Sequence, residues 1–404
     1  MDIIICKLLW GYSTWLIRSG KMLLARPVPV CQLLRGYSYF CALIRQSKDQ
    51  LKTTKITTII MMRPLIQATA LLLFSFTLFG CTAMGTQTVP YDQLSKKYTN
   101  SSSRYMDVNG LTIHYRDEGE GPPLVLLHGV ASSLHTWDDW VKQLKGRYRI
   151  IRLDLPGFGL TGPDSNPDSL SSDYMVSMID GFVQQLGLDR FFMAGSSLGG
   201  FYAWNYAHAH PQKLYKLALV GATGYAQDMP SWLGLASFPG IHWITPYMMP
   251  RFMVNQTVKS AYADSDFPSD EVKERYFDFT QRRGNRESYI RHFRLLREMS
   301  DNDSLGEKVK EVMVPTLLMW GEEDNWIPLD VMRLFHRDLP YSEYLTYEGI
   351  GHLPMEELAV QSARDVNNFF MSEIRKVKDH PQETDIKFYD NQYYNFHMGQ
   401  NEEL

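Results

Sequence analysis

Hydrophobic positions follow two alternating rhythms between about residues 105 and 377. Short apolar runs, Leu124–Leu127, Ile150–Leu153, Phe191–Ala194, Leu217–Val220, Thr316–Trp320 and Tyr344–Tyr347, have the length of strands buried on both faces. Between them apolar residues recur at helical spacing, in Trp137–Leu144, Ser172–Leu186, Leu198–Ala209, Leu329–Leu339 and Pro354–Val377. Strands alternating with helices predict an α/β fold with a mostly parallel central sheet and helices on both faces. Ahead of it, Tyr105–Val108 and Leu111–Asp117 flank Asn109-Gly110, a strong hairpin signal, so an antiparallel hairpin leads into the sheet.

The alternation breaks between Gly224 and Val312. A structureless loop of that length is implausible, and charged helical stretches at Glu271–Phe279 and Glu287–Met299 predict a helical insertion over about residues 225–311. Its expected place is over the strand ends, as a lid. Trp232, Trp243, Met248, Met249, Phe252 and Met253 are expected either to line an apolar substrate cleft or to form the insertion's own core.

One junction carries candidate chemistry. The run Phe191–Ala194 ends in Gly195-Ser196-Ser197-Leu198-Gly199-Gly200, and a helical pattern follows at once. So sharp a turn strains its central residue and needs glycine on its flanks. Ser197 at the apex would expose its hydroxyl above a helix N-terminus. The structural alternative is a helix start capped by Ser196 or Ser197.

A serine nucleophile needs a histidine base, and that histidine needs an acid to fix its tautomer. His352 lies in the glycine-rich loop after the last apolar run, at the sheet edge where ligands meet open α/β sheets. Asp324, in Trp320-Gly321-Glu322-Glu323-Asp324, is the chosen acid, with Glu323 as fallback. Asp154, in Asp154-Leu155-Pro156-Gly157, reads instead as a turn that orders neighbouring loops. His208 and His210 stand two apart on one helix, hence on different faces, which argues against a metal pair. No metal or cofactor is expected.

Composition changes the picture at the start of the chain. Of 404 residues, the first sixty carry nine Lys and Arg against two acids, leaving 32 basic and 43 acidic residues beyond them, a balance that does not suggest nucleic acid. All four cysteines lie at or before Cys81, so the globular part must be stable without internal disulfides. Met61-Met62-Arg63 followed by the apolar run Leu65–Phe79 has the layout of an export signal, too short to span a bilayer comfortably. Leu78-Phe79-Gly80-Cys81 resembles a bacterial lipoprotein signal, which implies lipidation at Cys81 and attachment to the cell envelope, on the periplasmic side of the outer membrane. An ordinary membrane anchor and a plain signal peptide are the alternatives. Translation starting at Met61 or Met62 would leave residues 1–60 as unstructured upstream sequence. Residues 61–80 then form the signal, 81–103 a tether, 104–377 the domain and 378–404 a loose polar tail.

Together these residues resemble the α/β-hydrolase fold family over about Tyr105–Val377, in the order Ser197, Asp324, His352. The resemblance implies that backbone N–H groups of Val130 and Leu198 form the oxyanion hole and that His128 and Gly129 shape that loop beside the substrate. Serine at position 197, rather than aspartate or cysteine, implies acyl transfer. The leading expectation is an envelope-bound hydrolase of apolar carboxylic esters. The alternative is a carbon–carbon bond hydrolase of the kind that cleaves ring-opened aromatic diketones, and a third reading is a binding protein that kept the fold without the chemistry.

Overall fold

The structure is a computed structural model that describes residues 5–6, 14–18, 21–25, 83–164, 170–227, 247–300 and 305–372. The chain divides into two compact units, 1–78 and 79–404. In the first unit, Ile5–Cys6, Thr14–Arg18 and Lys21–Ala25 pair as a three-stranded antiparallel sheet. This pairing lies within the residues expected to be unstructured. The export signal, Cys81 and the tail 378–404 lie outside the described residues.

The second unit is built on eight strands: β1 (Ser103–Val108), β2 (Leu111–Glu118), β3 (Pro123–Leu127), β4 (Arg149–Leu153), β5 (Phe191–Ser196), β6 (Leu214–Val220), β7 (Thr316–Gly321) and β8 (Ser342–Tyr347). Their order is β8-β7-β6-β5-β3-β4-β2-β1. From β4 to β8 all neighbours are parallel, while β2 pairs antiparallel with both β1 and β4. The Asn109-Gly110 hairpin takes the required positive φ values, 53° and 84°.

Alternate residues of each strand face opposite sides, which creates two cores. Val125, Leu127, Met193, Leu217, Leu219 and Leu318 pack with helices α3 (Ser172–Gln185), α4 (Leu198–Ala209) and α9 (Leu329–Asp338). Leu124, Leu126, Ala194, Ala218, Val220 and Leu317 pack with α2 (Asp138–Leu144) and α11 (Ala359–Met371). Helix α4 lies deepest: residues 198–207 are all buried, which is why its sequence is apolar all round rather than amphipathic. Each fully buried Leu, Val or Phe contributes roughly 1.5–3 kcal/mol, so this unit holds together without crosslinks.

Helices α5 (Arg251–Ser260), α6 (Asp270–Thr280), α7 (Asn285–Ser300) and α8 (Leu305–Val309) form the insertion between β6 and β7. The segment expected as a tether is the main departure from the pattern of the sequence. Residues 91–98 form helix α1, whose Leu94 and Tyr98 pack against Leu160 and Phe279 of α6. Tyr98 Oη and Lys97 Nζ both donate to Asp278 at 2.8 Å. Apolar residues at 94 and 98 are one helical turn apart, a short stripe that the surrounding Ser, Thr and Lys residues obscure. The expected final helix, Pro354–Val377, is broken into α10 (Pro354–Glu357) and α11, and residues 373–377 lie outside the described residues.

Candidate active site

At the end of β5 the chain reverses within one residue. Ser197 has φ 55° and ψ −119°, a conformation that costs a residue with a Cβ about 1–3 kcal/mol. Three main-chain hydrogen bonds hold it there: Ser197 N donates to Val220 O (3.0 Å), and Ser197 O accepts from Phe201 N (3.0 Å) and Thr223 N (3.2 Å). A Cβ on Gly199 would overlap the carbonyl oxygens of Leu127 and His128, so glycine is what lets strand and helix touch.

The loops after β7 and β8 supply the partners. His352 Nδ1 donates to Asp324 Oδ2 at 2.7 Å, with both side chains buried. Asp324 Oδ1 accepts from the N–H groups of Trp326 (2.8 Å) and Ile327 (2.9 Å), so both oxygens are committed and the carboxylate is fixed in direction. With its Nδ1 proton on Asp324, the imidazole keeps an acceptor lone pair on Nε2, which has no hydrogen-bond partner in the protein. Glu323, the fallback acid, is exposed. Gly221 marks where the three residues converge: a Cβ there would lie 3.0 Å from His352 Nδ1 and 3.2 Å from Asp324 Oδ2, and the preceding Val220 accepts from Ser197 N.

Ser197 and His352 open onto one cavity of about 310 Å³. Gly129, Val130 and Met248 line it, as do Met249, Met253 and Phe293. Leu198 is the first residue of α4, where backbone N–H groups have no acceptor within the helix. None of the described residues lining the cavity is Lys, Arg, Asp or Glu. Trp232 and Trp243 lie outside the described residues.

His128 is a correction. Fully buried, it does not line the cavity: its Nδ1 donates to Gly129 O (2.7 Å) and its Nε2 accepts from Leu155 N (3.0 Å). Burial holds its pKa below the ordinary histidine value, so it is a neutral brace between two loops rather than a substrate ligand. Asp154, at the end of the adjacent strand β4, is a brace of the same kind. It is fully buried, Oδ2 accepts from His114 Nδ1 and Leu160 N (both 2.8 Å), and Oδ1 accepts from Leu134 N (2.8 Å).

Sequence reading missed how the insertion engages the loop that carries His352. The turn after α5 is held by the His352 loop: His352 N donates to Ala261 O (2.8 Å), and the Glu357 carboxylate accepts from Gly351 N (3.0 Å) and Ala263 N (2.9 Å). Tyr262 Oη donates to Glu356 at 2.6 Å, and Trp326 Nε1 donates to Ser260 at 3.0 Å. Burial pushes both glutamates above the usual carboxylate range. The available signal was the acidic pair Glu356-Glu357 just after His352 in an otherwise apolar stretch.

Comparison with known proteins agrees with this fold. A family model described as alpha/beta hydrolase fold matches residues 122–358. A 2-hydroxy-6-oxononadienedioate/2-hydroxy-6-oxononatrienedioate hydrolase of Paraburkholderia phymatum is 27% identical over 264 residues, covering 62% of this chain and 90% of that protein. A pimeloyl-[acyl-carrier protein] methyl ester esterase of Legionella pneumophila is also 27% identical, over 245 residues, covering 60% of this chain and 93% of that protein. Among solved structures, the meta-cleavage product hydrolase CumD of Pseudomonas fluorescens IP01 superposes with a TM-score of 0.58 at 24% identity, covering 66% of this chain and 97% of that one. That likeness is one of fold.

Proposed function

Because the chain belongs to the alpha/beta hydrolase fold family and is a hydrolase, we propose that it cleaves apolar, uncharged carboxylic esters through an acyl-enzyme on Ser197. The observation that carries the reaction is the cavity shared by the strained Ser197 and by His352, whose Nε2 is free while Asp324 fixes Nδ1. Ser197 Oγ attacks the ester carbonyl carbon as Nε2 takes its proton. The carbonyl oxygen becomes an oxyanion, received by the N–H groups of Val130 and Leu198, each such bond being worth about 3 kcal/mol. Collapse expels the alcohol, which takes the proton from Nε2. Water, deprotonated by the same nitrogen, then releases the acid and restores Ser197.

The substrate class rests on the cavity wall, which Gly129 and Met248 help to form and which has no Lys or Arg among the described residues. A cavity of that kind does not compensate the desolvation of a carboxylate. Residues 228–246, with Trp232 and Trp243, contain no Lys or Arg either.

Carbon–carbon bond hydrolysis is the second reading, and the relatives favour it. Dienedioate hydrolases recur among them, whereas the ester reading draws on the methyl ester esterases. The two differ in what the cavity must hold, since a dioate brings two carboxylates. A series of p-nitrophenyl esters of rising chain length, run beside a ring-opened dienedioate, separates them. Ester turnover is expected, with Ser197→Ala lowering kcat/KM by about 10⁴- to 10⁶-fold; efficient turnover of the dienedioate without ester turnover would reverse the order of the two readings.

We further propose that the chain is attached to the cell envelope through lipidated Cys81, a reading supported by the apolar run Leu65–Phe79 and the Gly80-Cys81 junction. Cys81→Ser is expected to move the protein from the membrane to the soluble fraction, and retention of the variant would refute lipidation.

A further inference from the structure

The chain enters its hydrolase unit at one fixed place. Arg286 of α7 donates through Nη1 to Gly85 O (2.5 Å) and through Nη2 to Gln87 O (3.0 Å). Gly85 has φ +60°, a Cβ on it would overlap the Met249 carbonyl, and Met249 N donates to Gly85 O at 3.4 Å. Residues 85–87 are thereby laid against the segment that leads into α5, of which Met248 and Met249 line the cavity.

This is also where large apolar side chains face outward. Tyr247 is 70% exposed, Phe252 66%, Met253 42% and Met84 38%. Met253 lines the cavity as well, so the patch continues into the cavity wall. Single exposed apolar residues are ordinary on a protein surface, but these four lie within four residues of the paired Gly85 and Met249, with Met253 on the cavity wall and Phe252 on the outer face of α5, away from the cavity-lining Val254 and Val258. Charge at the rim is one-sided: from 247 to 259 the sequence has Arg251 and Lys259 and no acid.

The upstream sequence identifies the occupant. From Pro64 to Tyr91 there is no charged residue, and Leu65–Phe79 is almost wholly apolar. Cys81 is four residues from Gly85 and Phe79 six, so neither can be farther from it than about 14 and 22 Å even fully extended. Resting on the membrane attachment proposed above, we infer that the outer rim of the insertion, where Met84, Tyr247, Phe252 and Met253 are exposed, docks on a lipid bilayer surface, so that the cavity takes its ester from the membrane rather than from water. An apolar substrate partitioned in the bilayer then reaches the cavity by way of its Met253 wall, and Ser197 beyond it, without crossing bulk solvent.

The test uses the full chain on vesicles of phosphatidylcholine and phosphatidylglycerol doped with a phospholipid carrying a photoactivatable diazirine in its acyl chain. After sedimentation and photolysis, lipid adducts are expected at Met84 and within 247–253, in addition to those in residues 63–81. Adducts confined to 63–81, or found instead at the exposed Tyr344, Leu345 and Val360, would overturn the docking surface while leaving attachment intact. Protein–protein crosslinks at the rim without lipid adducts would assign it to a second copy of this chain and overturn it equally. Failure to sediment removes attachment and docking together. As an independent measurement, Tyr247→Glu combined with Phe252→Glu, neither of which lines the cavity, is expected to slow hydrolysis of a vesicle-borne long-chain ester by at least about tenfold, the scale of removing two apolar side chains from a lipid contact. Turnover of soluble p-nitrophenyl butyrate should be unchanged; an equal loss on both substrates would count against docking.

Discussion

At the scale of single residues, the site depends on atoms with only one role open to them. Asp324 Oδ1 faces two backbone N–H groups and Oδ2 faces the His352 ring, so an asparagine there has one workable orientation. Its oxygen must accept from Trp326 and Ile327, which turns its NH₂ toward Nδ1. That nitrogen must then accept, the ring proton moves to Nε2, and the imidazole can no longer take the proton of Ser197. Asp324→Asn is therefore expected to lower kcat by about 10⁴-fold with little change in KM, while Glu323→Gln, at an exposed position, leaves the rate unchanged. Steady-state kinetics of the two variants on one ester decide this, and comparable losses in both would contradict the pairing. Ser197, Asp324 and His352, the proposed triad, stood out as candidates because each sits where an apolar strand gives way to a loop, and the structure pairs His352 with Asp324 and opens Ser197 and His352 onto one cavity. His128 was misleading for the same reason: it too follows a strand, and only its two committed ring nitrogens show that it braces the loop.

Among the elements, legibility followed periodicity. Every strand from β1 to β8 and the helices α2, α3, α4 and α9 that flank the sheet have apolar patterns long enough to read, and their boundaries shifted by only a few residues. Where an element is short or its stripe sparse, tertiary contacts decide instead. Helix α1 has eight residues, of which Leu94 and Tyr98 are buried, and an isolated helix of that length does not persist in water. Packing against Phe279 and the hydrogen bonds to Asp278 keep it folded, and no local signal reports a partner 180 residues away. Helix α5 was passed over for a related reason. Its sequence was read for its Met and Phe residues, whereas its packing uses Val254 and Val258, which lie one turn apart on the opposite face from the exposed Phe252. The insertion is thereby held at three places, by α1, by the segment 85–89 and by the His352 loop. Two of those three were unreadable from the pattern.

For the molecule as a whole, the same buried bonds that order the site set its response to acid. Asp154 joins β2 through His114, the loop before α2 through Leu134 and the turn after β4 through Leu160. Burial by itself opposes ionisation of this carboxyl group, but its hydrogen bonds, that from His114 first, outweigh that cost and hold its pKa well below the ordinary value. A carboxylate whose folded pKa lies below its unfolded value of about 3.9 contributes stability at neutral pH, and that contribution is lost as pH falls below about 4. Asp154→Asn leaves the three donors with one acceptor oxygen, and a buried donor left without an acceptor costs roughly 1–3 kcal/mol. Denaturant unfolding of the two proteins is therefore expected to show a gap of that size at pH 6 that narrows steadily below pH about 4, since the parent gives up what the variant never had. A gap that stays constant down to pH 3 would mean that the loss comes from misplaced packing, and that the charge on Asp154 does not hold the three loops together.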